Sequence, residues 1–138
     1  TLEVLESSGI PVIGYGTDEF PAFFTRKSGL GVPHRCDTPE EVAAAMHAKW
    51  TLRLQGGFLV ANPIPEAAAA DPVAIEAAIE AGLRSASEQG VEGKALTPFL
   101  LRFINEATGG ASLAANRQLV ENNVRVGTEI AVAYAALR

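Results

Sequence analysis

Apolar and polar positions alternate in blocks along this chain, with helix-type blocks separated by short apolar runs. Residues 2–8 and 39–54 space their apolar side chains three and four apart, which is typical of an amphipathic helix. The apolar runs at residues 10–15 and 58–61 are short and flanked by glycine, so they predict buried strands. Because helices and strands succeed one another, the sequence predicts an α/β fold.

Capping signals predict where the later helices begin and end. Thr38-Pro39 and Asp71-Pro72 each combine a capping side chain with proline at the first helical position. Thr97-Pro98 repeats this signal, Gly109-Gly110 ends the helix that follows, and Ser112 is expected to cap the last helix. The predicted helices therefore cover residues 39–54, 73–88, 98–108 and 112–137.

Two loops stand out between the predicted elements. Residues 17–37 have no steady period and are predicted to form a long ordered loop with a short strand at residues 23–25. Residues 62–66 (NPIPE) follow the second predicted strand and are stiffened by two prolines. Ligands of open α/β sheets bind at the carboxyl ends of strands, where Asn62 and Glu66 would lie. The alternative is a rigid crossover whose polar groups bond only to the backbone.

Composition narrows the classes of function. A length of 138 residues suits one domain, and the net charge of −5 argues against a nonspecific nucleic-acid binder. The single cysteine, Cys36, excludes an intrachain disulfide and favours a cytoplasmic location. The sequence shows no apolar run long enough to span a membrane, so no membrane partner is expected.

The first residues have the pattern of a helix interior without a cap, which indicates a piece of a longer chain. Thr1 could act as an N-terminal threonine nucleophile, with its own amine as the base. Such a residue should head a strand, whereas a helical pattern surrounds Thr1, so this reading is disfavoured.

Three stretches of the sequence are candidates for a metal or anion site. His34, Cys36 and Asp37 are close in sequence, but alternate side chains of an extended segment point to opposite faces. The other histidine, His47, is predicted inside a helix without a partner four residues further on, so a zinc site is disfavoured. Asp18 and Glu19 could hold a hard cation or could simply cap their loop. The segment 109–112 (GGAS) before a helix resembles an anion seat, although an ordinary turn between helices has the same pattern.

Two asparagines of the last predicted helix need a partner. Asn116 and Asn123 are seven residues apart, on one helical face with Leu119, Val120, Gly127 and Ala131. A buried amide without a partner costs about 1 to 3 kcal/mol, so each must bond to protein or to ligand. Asn105 on the preceding helix and the glycine turn converge on the same region, and both readings of Asn116 stay open.

Three motifs together resemble a known family. Residues 18–35 (DEFPAFFTRKSGLGVPHR), 62–66 (NPIPE) and 94–123 (KALTPFLLRFINEATGGASLAANRQLVENN) are similar to the C-terminal part of the pseudouridine-5'-phosphate glycosidases, whose relatives include an indigoidine-pathway protein. The resemblance covers nearly the whole chain. It implies a three-layer α/β/α fold of which this chain, residues 1–138, is one partial domain.

The resemblance also implies an activity. The family reversibly cleaves the C–C glycosidic bond of pseudouridine 5'-phosphate to uracil and ribose 5-phosphate, as a homotrimer with a divalent metal such as manganese. Its lysine, which forms an imine with the opened ribose, and its metal ligand lie before the region matched here, and none of the lysines in this chain matches that lysine. No catalytic and no metal-binding residue is therefore assigned in this chain.

The resemblance assigns binding roles only. Asn116 matches a family asparagine at the ribose phosphate site, whereas Asn62, Glu66 and Thr97 lie in family motifs and are expected to form the pocket wall or to support it. Ser112 is the further binding candidate, since its hydroxyl would face a phosphate in an anion seat at residues 109–112. The hypothesis is a chain that binds substrate phosphate, is inactive alone and needs the missing N-terminal segment as its partner. A noncatalytic sugar-phosphate-binding or assembly module of the same fold is the alternative.

Overall fold

Three short parallel strands form the sheet of this protein. The computed structural model describes residues 2–137, and its strands are β1 (Val12–Tyr15), β2 (His34–Cys36) and β3 (Leu59–Ala61). The strand order is β2-β1-β3, with Ile13 of β1 opposite His34 on one side and opposite Val60 on the other. Both pairings are parallel, so the α/β prediction is confirmed.

Five α-helices are found in the described part of the chain. They are α1 (Leu2–Ser7), α2 (Pro39–Thr51), α3 (Pro72–Glu88), α4 (Leu96–Ala107) and α5 (Ala111–Ala135), with short 3₁₀ turns at Glu66–Ala68 and Gly93–Ala95. Among residues 2–137, no helix combines the length and apolar character needed to cross a membrane. Thr1 lies outside the described residues, and so does the nucleophile considered for it.

Two apolar clusters hold these elements together. In the first, Ile13 of β1 packs with Val42 of α2 and with Val126 and Ile130 of α5, so α2 and α5 cover one face of the sheet. In the second, α3 and α4 pack around buried Phe24, which reaches them from the loop after β1. Each α5 side chain of the first cluster is at least nine-tenths buried. The position of α5 over the sheet is therefore set by ordinary core packing.

The predicted caps separate into two correct and two wrong ones. Thr38 accepts a hydrogen bond from the Glu41 backbone N–H and forms a complete capping box, and Asp71 caps α3. Thr97 is not a cap, because the turn Gly93–Ala95 leads straight into α4 and leaves Ala95 at the cap position. Ser112 is not a cap either, since Gly110, with φ of 91°, occupies that position of α5.

The strand predicted at residues 23–25 is wrong. These residues form bends, and the strand of this segment that pairs with β1 is β2, which begins nine residues after Thr25 at His34. Phe24 is 6% exposed because its ring fills the cluster between α3 and α4. The apolar character of the segment serves helix packing, and it therefore does not indicate a strand in the sheet.

Candidate functional site

The carboxyl edge of the sheet is where α5 and the 62–66 loop meet. Asn62 directly follows β3, and its Nδ2 donates to Oδ1 of Asn123 on α5 at 2.9 Å. Seven residues further along α5, Ile130 packs against Ile13 in the sheet. Helix α5 thus runs back over the sheet from its carboxyl edge, and its first turns extend beyond that edge. This edge is the usual ligand side of a parallel α/β sheet.

Asn116 lies on the projecting part of α5. It precedes Asn123 by two turns, or roughly 10 Å at 1.5 Å per residue. The Asn116 side chain is half-buried and forms no hydrogen bond with any other described residue. Its amide donors and acceptor therefore remain available to a ligand or to another part of the protein.

Two hydrogen bonds join α5 to the 62–66 loop, and two more link successive turns of α5 beside them. Beside the Asn62 to Asn123 bond, Asn122 Nδ2 donates to the carbonyl oxygen of Pro63 at 3.3 Å. Arg125 Nη2 donates to Asn122 Oδ1 at 2.9 Å, and its Nη1 pairs with Glu129 Oε1 at 2.7 Å. Neither Asn122 nor Arg125 is among the predicted site residues. The sequence signal that could have found them is their spacing, since Asn122, Arg125 and Glu129 are three and four residues apart and such side chains meet on a helix.

Of the other predicted pocket residues, Glu66 and Thr97 are exposed and Ser112 is buried. Glu66 is exposed in the 3₁₀ turn after the loop, and Thr97 is exposed on the first turn of α4. Neither side chain forms a hydrogen bond with a described residue. Ser112 is 2% exposed inside the fold. The structure bonds Asn62 to α5 and packs the turn Glu66–Ala68 against that helix, but neither the Glu66 nor the Thr97 side chain bonds to α5, so their pocket roles stay predictions.

The helical face predicted for the two amides needs a correction. The buried residues of α5 are Ser112, Ala115, Val126 and Ile130, whereas Val120, Gly127 and Ala131 are exposed. Asn123 is also exposed, and the neighbouring Asn122 is half-buried. Burial therefore does not impose a partner on Asn123, but its amide oxygen accepts a hydrogen bond from Asn62, which favours the structural reading for this residue.

The glycine turn before α5 is closed by Thr108. Thr108 Oγ1 donates to the Ile104 carbonyl at 2.7 Å and accepts from the Ser112 backbone N–H at 3.3 Å. The Ala111 N–H donates to the Thr108 carbonyl oxygen at 3.1 Å. Two N–H groups that an anion would need are therefore already used. This geometry favours the turn reading of residues 109–112 over the anion seat.

The acidic residues of the long loop bond within the protein. Arg35 pairs with Asp37 and with Asp18, at 2.7 Å each. The hydrogen bond to Asp37 contributes most to raising the pKa of the Arg35 guanidinium, and the bond to Asp18 adds to it. Glu19 Oε2 accepts from the Gly29 backbone N–H at 3.1 Å, which is loop capping. Within residues 2–137, no three His, Cys, Asp or Glu side chains come together in a way that fits a metal ion.

Two titratable side chains end strands at the carboxyl edge. Burial raises the pKa of Tyr15, Glu129 raises it further, and Arg125 opposes the shift. Burial likewise raises the pKa of the Cys36 thiol, and Glu41 and Asp37 add to the effect. Both groups therefore stay protonated near neutral pH, where neither supplies a charge.

Comparison with known proteins identifies the family. The model of the family described as "Indigoidine synthase A like protein" matches residues 1–133. The chain belongs to this family. It is 55% identical over 138 residues to "Pseudouridine-5'-phosphate glycosidase 2" of Rhizobium johnstonii and 53% identical over 137 residues to "Pseudouridine-5'-phosphate glycosidase" of Alkaliphilus metalliredigens. These alignments cover 100% and 99% of the chain but 45% of each relative, so the chain spans about half the length of these relatives.

Two solved structures share the fold of this family member. The prealnumycin C-glycosynthase AlnA in complex with ribulose 5-phosphate matches 99% of this chain and 45% of its own, with a TM-score of 0.90 and 36% identity. An indigoidine synthase A-like protein of Thermotoga maritima matches 100% of this chain and 44% of its own, with a TM-score of 0.82 and 40% identity. Both matches are well above the level at which only a general fold is shared.

Proposed function

We propose that this chain supplies the sugar-phosphate-binding part of a pseudouridine-5'-phosphate glycosidase. The reaction is the reversible cleavage of the C–C glycosidic bond of pseudouridine 5'-phosphate to uracil and ribose 5-phosphate. The observation that carries the proposal is the 55% identity along the whole chain to a relative of that name. The ribulose 5-phosphate in the structurally similar AlnA adds support, since it is also a five-carbon sugar phosphate.

The chain's own contribution is binding at the carboxyl edge of the sheet. Asn116 donates its free amide hydrogens to the phosphate of ribose 5-phosphate, because it alone of the predicted site residues is both half-buried on α5 and without a side-chain partner among residues 2–137. The bond from Asn62 occupies the amide oxygen of Asn123, whereas both the oxygen and the nitrogen of the Asn116 amide are without a partner among residues 2–137.

The covalent chemistry belongs to residues outside this chain. An imine-forming lysine must be accessible and easily deprotonated. Lys49 is 5% exposed and donates its Nζ to the Gln55 carbonyl oxygen at 2.8 Å, which fixes it at the end of α2. Lys27 and Lys94 are exposed on the surface. The family's metal, its homotrimeric state and its cytoplasmic location belong to the same proposal and are likewise ascribed to the complete protein.

Replacement of Asn116 tests the binding role. In the full-length protein, Asn116→Ala is expected to weaken ribose 5-phosphate binding by about 5- to 150-fold, because a hydrogen bond to a charged phosphate worth about 1 to 3 kcal/mol is lost. Isothermal titration calorimetry measures this loss. Gln118→Ala on the same helix is the matched control, since its amide bonds only to Glu121. Unchanged binding together with a lower melting temperature would make Asn116 a structural residue.

A further inference from the structure

Two successive asparagines of α5 hold the segment that leaves β3. Asn123 accepts from the Asn62 side chain, and Asn122 donates to the Pro63 carbonyl oxygen. We propose that these four residues form an asparagine latch, a positioning device that keeps Asn116 in place over the carboxyl edge of the sheet. The proposal rests on the proposed function, because the group that it positions is the phosphate ligand.

The latch fixes two degrees of freedom of the helix. Successive residues of an α-helix point about 100° apart, so two bonds from neighbouring positions resist both sliding and rotation. The segment on the other side of the latch is itself rigid. Pro63 is buried, the next residue Ile64 is 1% exposed, and Pro65 restricts the backbone after it. Movement of α5 at this point would therefore break both bonds at once.

Each side of the latch has further support. On α5, Arg125 donates to Asn122 Oδ1 and is itself held by Glu129, so the Asn122 amide nitrogen must face Pro63. On the loop side, the Arg26 guanidinium donates to the carbonyl oxygen of Ile64. This second contact ties the loop after β1 to the segment that the latch grips. The latch therefore joins three parts of the chain near the proposed phosphate site.

Positioning suits these asparagines better than direct binding. The Asn122 amide uses both its oxygen and its nitrogen within the protein, and the Asn123 oxygen is occupied by Asn62. Asn123 is also two helical turns, or roughly 10 Å, from Asn116. Its influence on a phosphate at Asn116 must therefore pass through the placement of α5.

A double-mutant cycle in the full-length protein tests the latch. We expect Asn62→Ala and Asn123→Ala each to weaken ribose 5-phosphate binding by about 3- to 10-fold, and the double variant to bind no worse than the weaker single one. The Michaelis constant for pseudouridine 5'-phosphate should rise while kcat stays constant, because binding of ground and transition states is lost equally. Asn123→Asp keeps the acceptor for Asn62, so its binding should stay within about 2-fold of wild type.

Two further variants distinguish loss of the latch from general misfolding. Asn122→Leu has a similar size but cannot donate to Pro63, and it should weaken binding as Asn123→Ala does. Gln118→Ala removes a surface bond of the same helix and should leave binding unchanged. The latch would be overturned if the losses in the cycle were multiplicative or if the latch variants bound as wild type does. An equal loss of binding in Gln118→Ala would also overturn it. A folded wild-type protein that binds no ribose 5-phosphate would overturn the proposed function as well.

Discussion

Gly14 has no side chain, which lets the loop after β1 pass close to the sheet. It is buried in the middle of β1, and a Cβ atom built there would lie 2.1 Å from the Thr17 carbonyl oxygen and 2.8 Å from Cγ2 of Val32. We expect Gly14→Ala to lower the free energy of unfolding by about 1 to 3 kcal/mol, because the backbone at Thr17 must move away. Chemical denaturation followed by circular dichroism measures this change.

Gly57 provides the matched control. A Cβ atom at Gly57 meets nothing within 4 Å, and this residue does not need a positive φ. Gly57→Ala should therefore leave the stability nearly unchanged or raise it slightly. Equal effects of the two substitutions would show that the close approach at Gly14 is relaxed without cost.

The pair formed by Asn62 and Asn123 shows what can be predicted at the scale of single residues. The sequence predicted that Asn123 bonds to a partner, but the partner Asn62 is 61 residues away, and its position depends on where β3 ends. The buried face of α5 is chosen by α2 and the sheet, through Val126 and Ile130. The buried face of α5 is therefore offset by about one residue from the face that the spacing of Asn116 and Asn123 predicted.

Helix starts offer a test at the scale of elements. Thr38 forms a capping box with Glu41, whereas Thr97 sits inside the first turn of α4 without any side-chain bond to a described residue. We expect Thr38→Ala to destabilise the protein by about 1 kcal/mol and Thr97→Ala by less than about 0.5 kcal/mol. Thermal denaturation of both variants compares the same substitution at two helix starts. A larger effect at Thr97 would contradict the observed start of α4.

The wrong predictions share a physical cause. Thr38 and Asp71 were predicted correctly because a cap, a proline and the following turn are all local. The start of α4 depends on the preceding turn Gly93–Ala95, which carries no capping side chain of its own. Strand β2, with the sequence HRC, has no apolar run, and only its pairing with β1 makes it a strand. Such non-local pairing cannot be inferred from periodicity.

Exposed apolar side chains characterise the molecule as a whole. Valines of α5 are the clearest case, with Val120, Val124 and Val132 exposed by 54%, 64% and 67%. The three-stranded parallel sheet also has two open edges, at β2 and at β3. Exposed edge strands are normally short, charged, paired or covered by another part of the protein. These surfaces suit the proposal that the chain packs with the remainder of a glycosidase and with neighbouring subunits.

The isolated chain is therefore expected to have no glycosidase activity. Its lysines are either fixed at a helix end or exposed, and its described residues hold no group that fits a metal. Release of uracil from pseudouridine 5'-phosphate with manganese, followed by chromatography, measures the activity, with the full-length Rhizobium johnstonii relative as positive control. Turnover comparable to that control would place the imine-forming lysine within this chain. If adding the N-terminal half of that relative restored turnover, the reactive groups would lie in that half and the phosphate-binding residues in this chain.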